Sequence, residues 1–449
     1  MPKIELPGGA AALLEALERA GFEACAVGGC VRDSLLGRTP HDWDLCTSAR
    51  PEQVKAALSG QEFRCLDTGL RHGTVTVLFR GSSYEVTTYR VDGPYSDARH
   101  PDSVALTTCL EDDLARRDFT VNAMAYSPRR GLVDPFCGQE DLRRGIISCV
   151  GDPAERFSED ALRILRALRF ASAYGFSIDP ATASAIHAKK ELLEKVSGER
   201  VREELCRLLC GRAVSDVLLA YSDVMCTLIP ELAPCVGFEQ HSRYHCYDVY
   251  EHLARSVSAC RTDDPVTRFA LLLHDIGKPS CFTLDERGGH FRGHAEAGAA
   301  LAGPVLDRLH FDGRSRRDIL ELIRSHDTPP EPTPRSVRRT LARLGPEQFS
   351  RLLEVARADG AAHADWAVAP RLEQLDAAGA LLEQVLAEDA CFTLRDLALG
   401  GGDLLALGVP EGKQVGRLLQ ALLDEVVDGR LPNEREALLA GARELLRSS

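Results

Sequence analysis

With 449 residues the chain exceeds what one hydrophobic core usually serves, and its 44% hydrophobic and 27% charged residues, interleaved throughout, exclude a disordered protein. A net charge of −13 excludes a chain that coats nucleic acid indiscriminately, since such binding draws on many Lys and Arg contacts to phosphate, while leaving room for a local basic groove. The 15 cysteines are scattered with no CxxC pair, and no apolar run reaches the roughly 18 residues of a membrane helix, which predicts a cytoplasmic protein with reduced thiols and no membrane contact. In chain order, residues 1–150 mix β-branched runs such as Thr74–Phe79 (TVTVLF) and Tyr84–Tyr89 (YEVTTY) with helical stretches, an α+β pattern. From about Asp152 onward nearly everything has helical period, punctuated by Gly, Pro and Asp and without a repeat of fixed length. The expected architecture is a head containing a small sheet, followed by a long helical body.

The first stretch with chemistry in it is Val27–Thr47, VGGCVRDSLLGRTPHDWDLCT. Gly28 and Gly29 permit a tight turn and close approach of a ligand, and the following VRDSLLG continues as a helix whose start can receive phosphate. If Asp42-Trp43-Asp44-Leu45 is a strand, Asp42 and Asp44 share one face about 7 Å apart and Trp43 points into the core. Such a pair suits a hard cation, magnesium, that activates a hydroxyl and a departing pyrophosphate. Next, Leu114–Tyr126 (LARRDFTVNAMAY) offers Arg116 and Arg117 for phosphate charge, with Asp118 and Asn122 four apart and on one face if helical. In Arg156–Phe170 (RFSEDALRILRALRF), Asp160 and Arg163 are three apart and, on a helix, present an acceptor and a donor together, the equipment for reading a base edge. Between the first two motifs, Tyr89–Leu106 is rich in Gly, Pro and Asp and reads as a flexible loop. Two basic stretches, Pro334–Arg343 and the repeating Arg163, Arg166 and Arg169, can face a phosphate backbone or form solvated helix faces.

The order and spacing of the glycine pair, Arg32-Asp33 and the two aspartates resemble the polymerase-β-like nucleotidyltransferases, and the chain is most similar to the class II group of bacterial CCA-adding enzymes and poly(A) polymerases. The resemblance implies catalytic magnesium on Asp42 and Asp44, with Glu85 as a third carboxylate on a neighbouring strand. It assigns Gly28, Gly29, Arg32, Arg116, Arg117, Asp118 and Asn122 to the nucleotide, the last two to ribose hydroxyls. Asp160 and Arg163 become a protein template that pairs with CTP and then ATP, and the loop at Tyr89–Leu106 accompanies addition of all three nucleotides. SGERVREELCRLL looks like the family's ERxxxE helix, with Arg200 and Glu204 spaced for an i,i+4 pair of structural role. Further on, YHCYDVYEHLARSV, LLLHDIGKP, GHAEAG and RSHD follow one another, with His274 and Asp275 adjacent on an apolar helix. With His252 before and Asp359 after, this matches the HD phosphohydrolase superfamily, and His294 and His326 extend the site to a second metal. Such ligands suit manganese, nickel, iron or zinc. His245 and His363 match less well and take no role. The expected segments are a nucleotidyltransferase head (1–150), a helical neck for base selection and RNA binding (151–235), an HD domain (236–363) and a C-terminal helical region (364–449) with no readable motif. The reading is CCA addition to tRNA from CTP and ATP, with HD phosphohydrolase activity on RNA ends. The alternatives are a poly(A) polymerase and an RNA-binding phosphohydrolase with an inactive head.

Overall fold

The computed structural model describes residues 4–70, 73–93, 103–286, 288–387 and 392–448. The chain forms two compact units, Met1–Pro230 and Glu231–Ser449. The expected head and nearly all of the expected neck fall in the first.

The first unit opens with α1 (Gly8–Arg19), which buries Leu13, Leu14 and Leu17, spaced to share one helical face. A seven-stranded mixed sheet follows, built from β1 (Ala24–Val27), β2 (Asp44–Thr47), β3 (Arg64–Gly69), β4 (Thr74–Phe79), β5 (Ser82–Thr88), β8 (Ala125–Ser127) and β9 (Gly131–Val133), in the order β3-β4-β5-β2-β1-β8-β9. The central β1 is buried at every position, as expected of a strand covered on both faces. Helices α2 (Gly29–Leu35), α3 (Pro51–Leu58) and α4 (Leu110–Ala115) lie in the connections. The two runs that read as strands are strands, TVTVLF as the whole of β4 and YEVTTY largely within β5. The expected loop after Tyr89 begins and ends as an antiparallel ribbon of β6 (Arg90–Asp92) and β7 (Val104–Leu106), while its residues 94–102 lie outside the described residues. After α5 (Gly138–Arg144), the short strands β10 (Ile146–Ile147) and β11 (Ser177–Ile178) pair in parallel around α6 (Pro153–Glu159) and α7 (Leu162–Tyr174). The unit ends in α8 (Pro180–Lys189), α9 (Gly198–Leu209), α10 (Val214–Ala220) and α11 (Ser222–Leu228). Helix α9 packs on α7 through Val201, Leu205, Leu208 and Leu209, an i, i+4, i+7, i+8 stripe.

The second unit is almost wholly helical: α12 (Val249–Ala259), α13 (Pro265–Leu273), α14 (Lys278–Cys281), α15 (His294–Arg308), α16 (Gly313–Ser325), α17 (Pro334–Leu344), α18 (Pro346–Ala361), α19 (Asp365–Ala387), α20 (Gly401–Ala406), α21 (Lys413–Val427) and α22 (Arg435–Ser448). A hairpin of β12 (Thr283–Asp285) and β13 (Gly288–His290) interrupts them. Asp248, Asp264, Asp312 and Thr333 cap four of the helices by accepting from backbone N–H groups of the first turn. Every described cysteine is free, and no helix of the described residues is long and apolar enough to cross a membrane.

Candidate active site

In the first unit the chemistry gathers where β2 and β5 run parallel, because their register sets Asp44 directly opposite Glu85. Glu85 is exposed between buried Tyr84 and Val86, the period-two pattern of a strand with one covered face. The expected strand through Asp42 is corrected: ladder pairing starts at Asp44, so Asp42 and Trp43 precede β2, and Trp43 is half-buried rather than a core residue. Asp42 is still close enough to act on Asp44. The Asp44 carboxyl holds its proton more firmly than an ordinary aspartate, chiefly through desolvation by the protein packed around it, with Glu85 and Asp42 adding to the shift and Arg117 opposing it. Its side chain nonetheless remains accessible from solvent.

Arg117 reaches this site across Gly28. That glycine caps α2 at φ +79°, a backbone conformation that favours glycine, and a Cβ there would come within 2.9 Å of Arg117 Nη1. Gly29 begins the helix, and Arg32 on it is buried, donating to Asn122 Oδ1 at 2.5 Å and to both oxygens of Asp33 at 2.9 and 3.0 Å. Arg116 and Arg117 are not loose surface cations, since both pair with the fully buried Asp113, at 2.8 and 3.2 Å. Asp113 was missed in the sequence, although its i,i+3 and i,i+4 spacing from the two arginines carries the signal. Asp118 and Asn122 meet, but not on one α-helical face: a 3-10 turn over Thr120–Asn122 brings Asn122 Nδ2 to 3.0 Å from Asp118 Oδ1. Arg166 grips the other carboxylate oxygen at 2.8 and 2.6 Å. Burial alone would raise the Asp118 pKa, but Arg166 and Asn122 outweigh it and hold it down at about 2.

The base-reading pair needs a larger correction. Asp160 is not inside a helix. It ends α6 with φ −140°, and its side chain accepts from Leu162 N at 3.1 Å to start α7, so Asp160 and Arg163 do not share a helical face. Arg163 is buried, pairs with Glu159 at 2.6 Å and donates to the carbonyls of Arg156 and Arg116, both at 3.2 Å. Asp160 is held by Arg200 at 3.1 Å, which takes Arg200 away from its expected partner Glu204. Glu204 instead pairs with Arg169 at 2.6 Å. The repeating arginines of α7 are therefore an internal network rather than a basic face. On α17, Arg335 and Arg339 bind Asp428 at 3.0 and 2.6 Å.

In the second unit, five helices deliver His252 (α12), His274 and Asp275 (just past α13), His294 (first residue of α15), His326 (just past α16) and Asp359 (α18) to one buried centre. The expected helix at His274-Asp275 stops at Leu273, and this ending has a use. His274 Nδ1 donates to the carbonyl of Leu271 at 2.8 Å and His326 Nδ1 to that of Ile323 at 2.7 Å, consuming carbonyls orphaned at helix ends. His294 Nδ1 likewise faces the carbonyl of Phe291 at 2.8 Å and His252 Nδ1 that of Ala362 at 3.3 Å. In neutral rings with Nδ1 protonated, all four would turn a bare Nε2 inward. These lone pairs crowd each other, at 3.3 Å for His252–His274 and 3.2 Å for His294–His326, and buried Asp275 Oδ1 has no hydrogen-bond donor. Imidazole nitrogens gathered with carboxylates at one buried centre fit a divalent cation, which they would hold. Gly277 permits the packing, because a Cβ there would stand 2.2 Å from the His294 carbonyl.

Lys278 and Arg371, both missed in the sequence, complete the surroundings by pairing with Asp275 at 2.6 Å and Asp359 at 2.7 Å. His363, set aside in the sequence, lies 3.3 Å from Asp359, and His245 packs beside it. Burial and the Lys278 charge keep His245 neutral by pushing its pKa down to about 2. The centre opens into a cavity of about 300 Å³ whose lining includes Lys278, Arg292 and Arg371. Among the described residues, the groups of three or more His, Cys, Asp or Glu ligand atoms within 4.8 Å of one another are all in this unit.

Comparison with known families places these sites in context. The Poly A polymerase head domain matches residues 24–148 and the HD domain residues 243–362. A family described as "Probable RNA and SrmB- binding site of polymerase A" matches residues 175–235, and tRNA nucleotidyltransferase domain 2 matches 339–442, which takes in most of the C-terminal region (364–449) that has no readable motif. A CCA-adding enzyme of Limosilactobacillus fermentum is 34% identical over 97% of this chain and 96% of its own. One from Levilactobacillus brevis is 34% identical over 95% of each. The crystal structure of the Bacillus stearothermophilus CCA-adding enzyme in complex with CTP is 30% identical, with a TM-score of 0.75 over 98% of this chain and 97% of that one. Near-complete coverage at this identity, with the sheet-borne carboxylates in the first unit, makes the chain a member of the CCA-adding enzyme family of nucleotidyltransferases.

Proposed function

We propose that the first unit adds the 3′-terminal CCA sequence to tRNA from CTP and ATP without a nucleic-acid template. The observation that carries this reading is the register of β2 and β5, which sets two carboxylates, Asp44 and Glu85, face to face beside a third, Asp42, and the Arg117 guanidinium. The tRNA 3′-hydroxyl attacks the α-phosphate of the nucleotide and pyrophosphate departs. Asp42, Asp44 and Glu85, an all-oxygen set suited to a hard cation, would hold magnesium, which would supply charge stabilisation for the nucleophile and the leaving group. Arg116 and Arg117, oriented by Asp113, receive the triphosphate. Asp118 and Asn122, fixed by Arg166 and Arg32, offer acceptors to ribose hydroxyls. Asp160, held by Arg200, and Arg163, held by Glu159, face the base. The segments 1–150, 151–235, 236–363 and 364–449 divide the work as head, neck, HD domain and RNA-holding region. A tRNA lacking its end, incubated with each labelled nucleotide in turn, tests the proposal. Incorporation of CTP and then ATP is expected, whereas adenosine tails on unrelated RNAs with no use of CTP would make the protein a poly(A) polymerase.

The centre in the second unit supports a separate hydrolytic reading. His252, His274, Asp275, His294, His326 and Asp359 would hold manganese, nickel, iron or zinc, which supplies an acidified water for attack on a phosphoester. Lys278, Arg292 and Arg371 around the cavity draw in the phosphate. Release of phosphate from a simple phosphoester with added manganese or nickel is the expected result.

A further inference from the structure

Beside the six residues of the HD centre stands a second group of imidazoles that the reading so far leaves idle. His245, His252 and His363 bring ligand atoms within 4.8 Å of one another. Ring centroids are 4.6 Å apart for His245 and His363, and 5.2 Å for His245 and His252. Neither His245 nor His363 arrives by accident of a mobile side chain. Ala364 N donates to the carbonyl of Tyr244 at 2.8 Å, which ties the segment before α12 to the segment after α18 one residue from each histidine. Tyr244 also packs against Trp366, centroids 4.9 Å apart, on the same seam. His245 Nδ1 is buried and has no hydrogen-bond partner, an unfavourable arrangement when nothing compensates it.

Asp359 joins this group to the main centre. Its Oδ1 lies 3.0 Å from His252 Nε2, 3.6 Å from His274 Nε2 and 3.3 Å from His363 Nε2, while Arg371 holds Oδ2 at 2.7 Å. One oxygen therefore faces imidazoles on both sides, the position of a bridging ligand. His252 is committed by its Nε2 to the main centre, since its Nδ1 faces the carbonyl of Ala362. That leaves His245, His363 and Asp359 as a set of two imidazole nitrogens and one carboxylate, open on the cavity side, where all three contribute to the lining. Three protein ligands with a position left for water is the composition of a reactive divalent site.

We propose that His245 and His363, with Asp359 bridging, form an additional transition-metal position next to the HD centre, so that the loaded second unit holds three ions rather than two. The inference rests on the HD centre being a metal site. In the reaction read for that centre, the extra position would lie on the same cavity and could meet the same phosphate.

Equilibrium dialysis of the full chain against Zn²⁺ in the presence of excess Mg²⁺, which competes for the Asp42, Asp44 and Glu85 carboxylates, followed by elemental analysis for zinc, tests the count. Wild type is expected to retain three ions, and His245→Ala and His363→Ala two each, with unchanged circular dichroism. His363→Gln serves as a second variant that keeps the size of the side chain. Because both histidines are only partly buried, their loss should leave folding intact. A control variant, Asp275→Asn, removes a ligand of the main centre without touching the extra set. If wild type and both alanine variants retain two ions, the extra position does not exist and the HD centre stands. If wild type retains none, the metal reading of the HD centre falls and takes this proposal with it.

Discussion

Asp44 differs from most aspartates of the chain in having neighbours of its own sign, Glu85 and Asp42, with Arg117 as the counterweight. A site built this way works against itself until a cation occupies it, so its carboxylates are there to bind rather than to stabilise. Asp44→Ala should lower nucleotide addition at least about a thousandfold, equivalent to about 4 kcal/mol, with tRNA binding and thermal unfolding nearly unchanged. A steady-state assay in which the variant stayed within about tenfold of wild type would remove Asp44 from catalysis. Asp118 is the opposite case, a carboxylate whose partners favour its charge. Its folded-state pKa of about 2 lies below the ordinary 3.8, so its stabilisation is fully present above 3.8 and is lost as pH falls through 2. Asp118→Asn should therefore cost at most about 2 kcal/mol at pH 7, and about half of that difference should be gone by pH 3. Urea unfolding of both proteins at the two pH values gives the comparison, and an equal difference at both would mean that Arg166 does not set the charge state of Asp118.

At the scale of elements, what the sequence conveyed well was whatever depends on pattern within one segment. TVTVLF became β4 because alternation and β-branching act locally, and the four histidines and two aspartates of the HD constellation met because each sits in or just beyond a helix that buries an apolar face. What it conveyed badly was where an element stops. The break at Asp160 lies inside an unbroken helical pattern, and only the side-chain bond from Asp160 to Leu162 N reveals it. Partner choice was equally hidden: the Arg200–Glu204 spacing is right for an i,i+4 pair, yet Asp160 and Arg169 are better placed in space and win. The same long-range accounting bears on base selection. Because Glu159 fixes Arg163, Glu159→Ala should raise misincorporation of UTP and GTP in the same direction as Arg163→Ala, and both should alter base preference more than total rate. Competition assays with mixed nucleotides read this out. Unaltered CTP and ATP preference with a uniformly slower rate in both variants would reduce α6 and the start of α7 to scaffolding.

For the whole molecule, the proposed function would place two unlike metal environments on one chain. Asp42, Asp44 and Glu85 offer only oxygen and remain accessible, whereas the second unit offers mainly imidazole nitrogen in a buried centre. Hard magnesium prefers the former and borderline transition metals the latter, so the two loads should be separable by chemistry as well as by mutation. Asp275 is the residue on which to divide them. It faces His274, His294 and His326 at 3.3 to 3.5 Å and pairs with Lys278 at 2.6 Å, so its removal takes a charged ligand from the centre and leaves a buried ammonium unpaired. Asp275→Ala should lower bound transition metal and abolish phosphoester hydrolysis while addition of CCA with magnesium stays near the wild-type rate. It should also destabilise the protein, by about 3 kcal/mol or more for a broken buried ion pair, and Asp275→Asn, which keeps the shape and an oxygen that can accept from Lys278, limits that loss of stability while still removing the charged ligand. Elemental analysis, a phosphoesterase assay and the CCA assay on the same preparations decide it. If hydrolysis and addition fall together in the well-folded Asn variant, the two activities share one site, and the division of labour between the units fails.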